Sequence, residues 1–298
     1  MRGQSAHEVE DRVASTRAFS TRLVGDHPDH VRTRGRVVCL PVVGDWSSGF
    51  APEALPAELL GTDAAYGKVA LLGPAVGVSE TASFQLSDTP GDAAIAACSN
   101  ATAAAVACHT LASGAGRASL HLALPGGHDT TIVADVRHRN TGSSVRQTWQ
   151  AVRVELATDA EVDGRHVAVC TGALNNYLVV RTRPGETIDT FALDDALGLW
   201  QHFGMHREPL LSRMAVVEDD GRHRAVRFFT CGTRAHPSAA PTGLAVVGFA
   251  SRVLDWLPAS GRTVAAPGGT VRVPRLQESA DGGIDVEFPE VIVTIAGS

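Results

Sequence analysis

Hydrophobic and polar residues alternate in many short stretches of the chain, and two longer stretches are apolar at nearly every position. Turn signals such as PGG, DG and RPGE bound the short stretches, which is typical of β-strands. The pattern predicts strands at Arg36–Val43, Ala82–Leu86, Ser119–Leu124, Thr130–Val136, Gln150–Leu156, His166–Thr171, Tyr177–Arg181, Ala225–Thr230 and Thr270–Val273.

The two longer stretches, Asn100–Ser113 and Thr242–Leu257, consist mainly of alanine, valine and leucine, and they predict helices. A helix that lacks a polar face must be surrounded by protein on all sides. Two such helices among many strands predict an α+β (α/β) fold of two similar domains, in which each mixed sheet curls around a central apolar helix.

A weak internal repeat supports this interpretation. The segment LALPGG follows the first predicted helix and VAAPGG follows the second. The spacing from Asn100 to Pro125 equals that from Thr242 to Pro267. We therefore expect a polar leader over residues 1–33, an N-terminal domain over 34–160 and a C-terminal domain over 161–298, whose last strand is free to return to the first domain.

A cysteine precedes each predicted helix. Cys98 stands directly before the first helix, where Ser99 or Asn100 is a suitable N-cap, and Cys231 stands further ahead of the second. Free backbone N–H groups and the helix dipole attract anions and stabilise a thiolate at such a position. The alternative is that Cys98 is only a small buried residue in an alanine-rich core.

Composition and charge limit the classes of partner that the protein could bind. The chain has 298 residues, 44% hydrophobic content and a formal net charge of −6, which argues against nucleic acid or an acidic membrane as the main partner. No apolar run reaches the roughly 18–20 residues that cross a bilayer. Five scattered cysteines without a CxxC motif predict free thiols, no metal site and a cytoplasmic protein.

Three segments carry a resemblance to a known superfamily, that of diaminopimelate epimerase, and within it to the PrpF-type isomerases, the methylaconitate and oxalomesaconate isomerase family. They are TDAAYGKVALLGPAVGVSET, AACSNATAAAVA and TCGTRAHPSAAPTGLAVVGFASRV. They are similar to that family's DPYGK segment, its CGN-plus-helix segment and its second-domain segment. The segment VVGDWSSGFAPEALP is similar to its opening RGGTSKG loop.

This resemblance implies a site between two domains that needs neither metal nor organic cofactor. It implies proton-transfer roles for Lys68, Cys98 and Cys231. It also implies substrate contacts at Ser47, Ser48, Ser79, Ser99, Asn100, Asn175, His236, Thr242 and Gly243. Asn175 resembles the asparagine of the epimerase branch's GNPH segment, although a turn asparagine fits its position equally well.

Departures from the family pattern bear on the substrate. The arginine of the opening loop is absent from Val43-Gly44-Asp45, and its lysine is replaced by Ser48. The loss of two cations disfavours di- and tricarboxylates. It favours a monocarboxylate or an amino-acid-like molecule, such as the substrates of the isomerases in 4-alkylproline antibiotic pathways.

The expected chemistry is migration of a double bond, in which one carbon-bound proton is removed and another is delivered further along the molecule. Lys68, one of very few lysines in an arginine-rich chain, lies beside Tyr66 and the apolar Val69–Leu72, and burial would keep its amine partly neutral. Two alternatives stay open: an amino-acid epimerase that uses Cys98 and Cys231, and a non-catalytic relative that only binds a metabolite. The partner in each case is a small carboxylate, and a homodimer is also open.

Other motifs give weaker evidence about function. His202 and His206 have i,i+4 spacing but lack the HExxH glutamate, so we interpret them as structural. No GxxxxGK[ST] or GxSxG segment is present, which disfavours nucleotide binding and serine hydrolysis.

Overall fold

A computed structural model describes residues 17–24, 31–32, 37–41, 68–75, 78–88, 97–111, 114–122, 130–204, 213–219, 224–230, 234–235, 239–255 and 262–295. Within these ranges the chain forms two sheets and three helices. No helix in the described part is long and apolar enough to cross a membrane.

The first sheet closes on itself. In the described residues a ring of eight strands runs in the order β8, β19, β1, β3, β4, β5, β6 and β7, and β7 pairs again with β8. The strands of this sheet are β1 (Arg17–Leu23), β2 (Val31–Arg32), β3 (Val37–Pro41), β4 (Lys68–Ala75), β5 (Val78–Asp88), β6 (Arg117–Leu122), β7 (Thr130–Arg139), β8 (Gly142–Val152), β17 (Arg275–Glu278), β18 (Ile284–Glu287) and β19 (Val291–Ile295).

Helix α1 (Ser99–Leu111) runs through the ring and contacts each of its eight strands. Ser99–Ala107 are all buried, because strands cover the helix on every side. Alanine occupies most of these positions, and its small side chain lets the surrounding strands approach the helix closely. The ring and α1 together are called the first lobe.

The second sheet is open and has the strand order β16, β15, β13, β12, β11, β10 and β9, with β14 paired to β13. Helix α3 (Pro241–Leu254) packs against β9–β12 on its inner face and also against β17. The strands are β9 (Val154–Val162), β10 (Arg165–Gly172), β11 (Tyr177–Arg181), β12 (Arg213–Asp219), β13 (Arg224–Thr230), β14 (Arg234–Ala235), β15 (Thr263–Ala266) and β16 (Gly269–Arg272).

A short helix, α2 (Leu193–His202), covers the outer face of the second sheet. Its Leu199 and Trp200 join a separate buried cluster with Leu178 and Met214. A buried arginine, Arg165, ties this layer to the sheet through the ion pairs that it makes on this side of the molecule. The second sheet, α2 and α3 are called the second lobe.

The two lobes are connected through the β8–β9 junction and through β17. β8 leads into β9 through Arg153 alone, and β18 and β19 pair with successive parts of one edge of β8. Strand β17 extends this edge toward α3, so it belongs to the first sheet and also packs on the second lobe's helix. The lobes are therefore connected at the β8–β9 junction and where β17 packs on α3.

The predicted fold class is confirmed: the chain is a mixed α+β protein whose curled sheets surround two apolar helices. Both predicted helices are present, and each begins one residue earlier than predicted, at Ser99 and at Pro241. The range 1–33 of the predicted polar leader includes β1 (Arg17–Leu23) of the ring, where Ala18, Phe19 and Thr21 are buried. The predicted strand Gln150–Leu156 is interrupted at Arg153, and Ala151 has a positive φ of 52°.

Candidate functional site

The site is built around the start of α1. The helix begins at Ser99, one residue earlier than the sequence indicates, so that Cys98 takes the N-cap position. The carbonyl oxygen of Cys98 accepts hydrogen bonds from the backbone N–H of Thr102 at 2.9 Å and from its hydroxyl at 3.0 Å. An N-cap side chain lies beside the free amide groups of the first turn, and the thiol of Cys98 is half-buried there.

Two polar side-chain atoms in this first turn are buried without a hydrogen-bond partner among the described residues. The hydroxyl oxygen of Ser99 and the Oδ1 atom of Asn100 are buried and make no hydrogen bond in the described part of the molecule. Ser99 is 1% exposed and Asn100 is 9% exposed. Buried polar atoms are nearly always paired, and an unpaired one marks a place where a ligand or water completes the structure. Two such atoms next to free amide groups therefore indicate a place for a polar ligand.

The start of α3 is also open to a ligand. Its N-cap residue is Ala240, which has no side chain able to cap, and Pro241 is the first helical residue. Thr242 and Gly243 follow in the first turn and are both buried. Their backbone N–H groups lack acceptors within the helix, because the first four amides of any α-helix do.

The start of α1 is tied to the second lobe by Asn175, in the turn between β10 and β11. Its Oδ1 accepts from the backbone N–H of Ala97 at 3.0 Å, and its Nδ2 donates to the carbonyl of Ala97 at 3.0 Å. Asn175 is buried and has a φ of 75°, a conformation that asparagine adopts more readily than most residues. The second lobe thus holds the residue that immediately precedes Cys98.

Tyr177, two residues further along the chain, lies between the two helix starts. Its hydroxyl forms a hydrogen bond with the side chain of Thr242. A Cβ atom added to Gly243 would lie 2.9 Å from the Tyr177 hydroxyl oxygen and 2.6 Å from Cε1 of Phe228. The absence of a side chain at position 243 therefore allows the phenol to reach the first turn of α3.

The electrostatic surroundings of Tyr177 link both lobes. Burial raises the pKa of the Tyr177 phenol above its ordinary value, and the electrostatic effect of the nearby Cys98 side chain raises it further. The guanidinium of Arg213 and the hydrogen bond from Thr242 offset part of that rise in pKa. The phenol is therefore neutral near pH 7 and can donate a hydrogen bond.

The structure brings together a part of the predicted site. Cys98, Ser99, Asn100, Asn175, Thr242 and Gly243 gather around the two helix starts. Lys68 begins β4 and pairs with Val37 and Asp88, and Ser79 lies in β5, but the side chains of both fall outside the described part. The predictions for Ser47, Ser48, Cys231 and His236 lie outside the described residues altogether.

Three polar residues of this region are absent from the sequence predictions: Tyr177, Arg213 and Gln147. The Nε2 atom of buried Gln147 donates to the carbonyl of Ser99 at 2.6 Å, while its Oε1 accepts from Nε1 of Trp149 at 3.1 Å. The sequence signal for Gln147 was a glutamine at an inward position of a strand. Tyr177 follows Asn175 by two residues, and that proximity was the signal for the phenol.

Two cavities lie away from the helix starts. One of about 550 Å³ lies beside the second half of α3, between the β8–β9 junction and the β17–β18 hairpin. The other, of about 750 Å³, lies between the β9–β10 hairpin and the loop after β11. Neither cavity includes Cys98, Asn175 or Tyr177 in its lining.

Comparison by sequence gives no relative: no family model matches the chain, and no curated protein matches it at a significant level. Solved structures are similar in fold. A "predicted epimerase" from Pseudomonas aeruginosa superposes with a TM-score of 0.58 at 13% identity, covering 95% of this chain and 99% of that one.

Two further structures superpose over a similar extent. A probable proline racemase from Agrobacterium radiobacter has a TM-score of 0.52 at 17% identity, covering 94% of this chain and 90% of that one. A hydroxyproline epimerase from Agrobacterium vitis, with bound trans-4-hydroxy-L-proline, has a TM-score of 0.50 at 16% identity, covering 94% and 88%. At these identities the likeness establishes the shared fold.

Proposed function

We propose that the chain is a cofactor-independent isomerase that moves a proton between carbon atoms of a small carboxylic acid. The observation that carries this proposal is the meeting of two helix starts around Tyr177, with a half-buried thiol at the start of α1. The structural neighbours described as epimerases and racemases support the same class of reaction.

Cys98 is the proton-transfer group that this arrangement favours most. Removal of a carbon-bound proton next to a carboxylate needs a base, and its return needs an acid, and a thiol at a helix start serves in either form. Positioned groups of this kind contribute on the order of 10²–10⁴-fold each. The negative charge that develops on the substrate's carboxylate is stabilised by the free amides of both helix starts.

Ser99 and Asn100 support a substrate that carries both a hydrogen-bond acceptor and a donor. The Ser99 hydroxyl donates readily to a carboxylate, while the Oδ1 atom of Asn100 needs a donor such as an ammonium or secondary amine. An amino-acid-like substrate with one carboxylate supplies both groups. This agrees with a cyclic amino acid, including the 4-alkylproline type, and a cyclic amino acid is bound in the hydroxyproline epimerase structure.

The partner of Cys98 in proton transfer separates two versions of this function. In the first, favoured by the resemblance to PrpF-type isomerases, Lys68 is the second group and a double bond migrates. In the second, Cys231 is the second group, and the two thiols act on opposite faces of one carbon, as in an epimerase. A third reading, a non-catalytic protein that binds a metabolite, predicts no exchange of carbon-bound protons.

Incubation in deuterated water distinguishes these versions. The protein is mixed with a set of unsaturated monocarboxylic acids, 4-alkylidene prolines, proline and 4-hydroxyproline, and NMR locates deuterium on carbon. Label at a carbon remote from the carboxylate indicates double-bond migration, whereas label at the α-carbon alone indicates epimerisation. Absence of label throughout the set, in a protein that binds one of these acids, would support the non-catalytic reading.

Substitutions then identify the residues that transfer the proton. Cys98→Ser should abolish exchange in both enzymatic versions, while Cys108→Ser, in the far half of the same helix, should leave it intact. Lys68→Met should abolish exchange and Cys231→Ala spare it if a double bond migrates. The opposite result assigns the reaction to the two cysteines. Since Lys68 is the sole lysine of the sequence, modification of lysine amines reports on this residue and the N-terminus alone.

A further inference from the structure

Arg213 stands at a defined place on the inner face of the second sheet. It begins β12 and pairs directly with Tyr177 of β11 in parallel register. Ala215 and Val217, which share its face of β12, belong to the core cluster around the helices, whereas Met214 and Val216 belong to the cluster beneath α2. Side chains point to alternate faces along a strand, so Arg213 lies on the same face of β12 as Ala215 and Val217, the face toward α3.

The backbone fixes this position. The N–H of Arg213 donates to the carbonyl of Asn176 at 3.1 Å, which ties the start of β12 to the turn that carries Asn175. Asn175 in turn holds Ala97, next to Cys98. Arg213 is half-buried, and its side chain and that of Cys98 both act electrostatically on the Tyr177 phenol. A cation, a phenol and a thiol from three segments therefore border one place.

We propose that Arg213 and Tyr177 form a carboxylate-binding pair on the second-lobe wall of the site that contains Cys98. This inference rests on the proposed function, since it assigns binding residues to the same site. The guanidinium forms a two-pronged contact with the carboxylate, and the Tyr177 hydroxyl donates a further hydrogen bond to it. Both residues belong to the substrate-binding set, with Cys98 left to the proton transfer.

Binding of a carboxylate at this site requires a cation in addition to the two helix starts. A helix start carries only about half a positive charge, and the protein as a whole has a formal net charge of −6, which repels anions at long range. The opening segment has no basic residue from Val43 to Ser48. Arginine presents several donors in a rigid fork that matches a carboxylate, which a helix start alone does not.

Tyr177 suits the second part of the pair. Thr242 already bonds its oxygen, and the phenol is neutral near pH 7, so its single proton remains for donation to an anion. Phe228 and Gly243 confine the ring against α3, which fixes where that proton is presented. A donor held in place before the ligand arrives loses little conformational entropy on binding.

Two alkylating agents of similar size test the proposal without knowledge of the substrate. Iodoacetate carries a carboxylate and iodoacetamide carries a neutral amide, and both modify cysteine thiolates. Mass spectrometry of the peptides gives the ratio of the two rates separately for Cys98 and for Cys108 in the same sample. Cys108, in the second half of α1, is the internal reference for intrinsic reactivity.

We expect the iodoacetate-to-iodoacetamide ratio at Cys98 to exceed that at Cys108 in the wild-type protein. Arg213→Met should lower the ratio at Cys98 about tenfold, because a charge-assisted hydrogen bond is lost, and should leave Cys108 unchanged. Tyr177→Phe should lower it about two- to threefold. Arg213→Lys should retain part of the preference, since the charge stays and the fork is lost.

Arg183→Met is the matched control. Arg183 lies beyond the opposite end of β11, its side chain is 44% exposed, and its replacement makes the same change in net charge. An equal drop with Arg183→Met would overturn the proposal in favour of a general charge effect. An unchanged ratio in Arg213→Met would overturn it as well.

The wild-type protein alone also tests the proposal, should Arg213→Met fail to fold. A ratio at Cys98 no higher than that at Cys108 contradicts a carboxylate-binding pair. The result is independent of the proposed reaction, because alkylation needs no turnover. Preference for iodoacetate without any deuterium exchange would keep the binding pair and refute the isomerase.

Discussion

The side-chain amide of Asn175 forms two hydrogen bonds of 3.0 Å with the backbone of Ala97, one to its N–H and one to its carbonyl oxygen. Asn175 belongs to the second lobe and Ala97 leads into the central helix of the first. Both bonds are buried, and their removal leaves unpaired polar groups in the interior. This contact therefore joins the lobes at the residue before Cys98.

Asn175→Asp tests this relationship. A carboxylate still accepts from the N–H of Ala97 but cannot donate to its carbonyl, and it places a charge in a buried position. We expect the free energy of unfolding to fall by about 2–3 kcal/mol, measured by urea denaturation. Asn176→Asp is the control, because it keeps the acceptor for the N–H of Gly172 at 3.3 Å. Equal effects of the two variants would contradict a special role for Asn175.

Gly243→Ala should destabilise the protein although alanine is the better helix former. The added Cβ would lie 2.6 Å from Phe228 and 2.9 Å from the Tyr177 hydroxyl, closer than real atoms come. We expect a net loss of about 1–3 kcal/mol by thermal unfolding. The matched control is Gly198→Ala in α2, where nothing lies within 4 Å, and this variant should stabilise the protein by about 0.5–1 kcal/mol.

Glu186 should govern part of the acid stability. Its hydrogen bonds with Arg165 lower the pKa of the Glu186 carboxyl from 4.5 to about 2. A group whose pKa is depressed by folding contributes stability that is complete above pH 4.5 and is lost as the pH falls toward 2. Arg165 is 2% exposed, so removal of its partner leaves a buried charge poorly paired.

Glu186→Gln should accordingly cost about 3 kcal/mol at pH 7, and the difference from the wild type should shrink between pH 4.5 and 2. Denaturation with urea across this pH range measures it. Asp195→Asn should cost less, because Asp195 is 39% exposed and contributes a single contact to Arg165. A constant difference at all pH values would contradict the assignment.

The thiols should differ in reactivity in the folded protein. Burial raises the pKa of Cys170 to about 12 and raises that of Cys39, whose thiol also contacts Cys108. At pH 8 we expect iodoacetamide to modify Cys98 and Cys108 first and to reach Cys39 and Cys170 only after denaturation. Rapid labelling of Cys170 in the native protein would show that the second sheet opens around it.

The sequence predicted the two central helices well, because both consist of apolar residues without a polar face. It also predicted a chemically suitable thiol at Cys98, since the alanine run marks the start of α1. It missed β1, because Arg17 and Arg22 make the segment look polar and Phe19 is its only large apolar residue before Leu23. Helix α2 was not predicted, because Gly198 and its short length weaken the helical pattern of this segment.

The proposed pairing of Tyr177 with Arg213 could not be predicted from local pattern. Tyr177 and Arg213 are far apart in sequence and meet only because β11 and β12 pair in parallel, with α2 in the connection between them. Parallel pairing is not encoded in either strand alone. The roles of Lys68 and Cys231 remain predictions, and the variants proposed above assign them.

The position of β19 has a consequence for biosynthesis. Val291–Ile295 lie between β1 and β8, so the last described strand closes a ring that the first one opens. A ribosome synthesises β1 long before β19. The nascent first lobe must therefore wait for β19 before its ring of strands can close around α1.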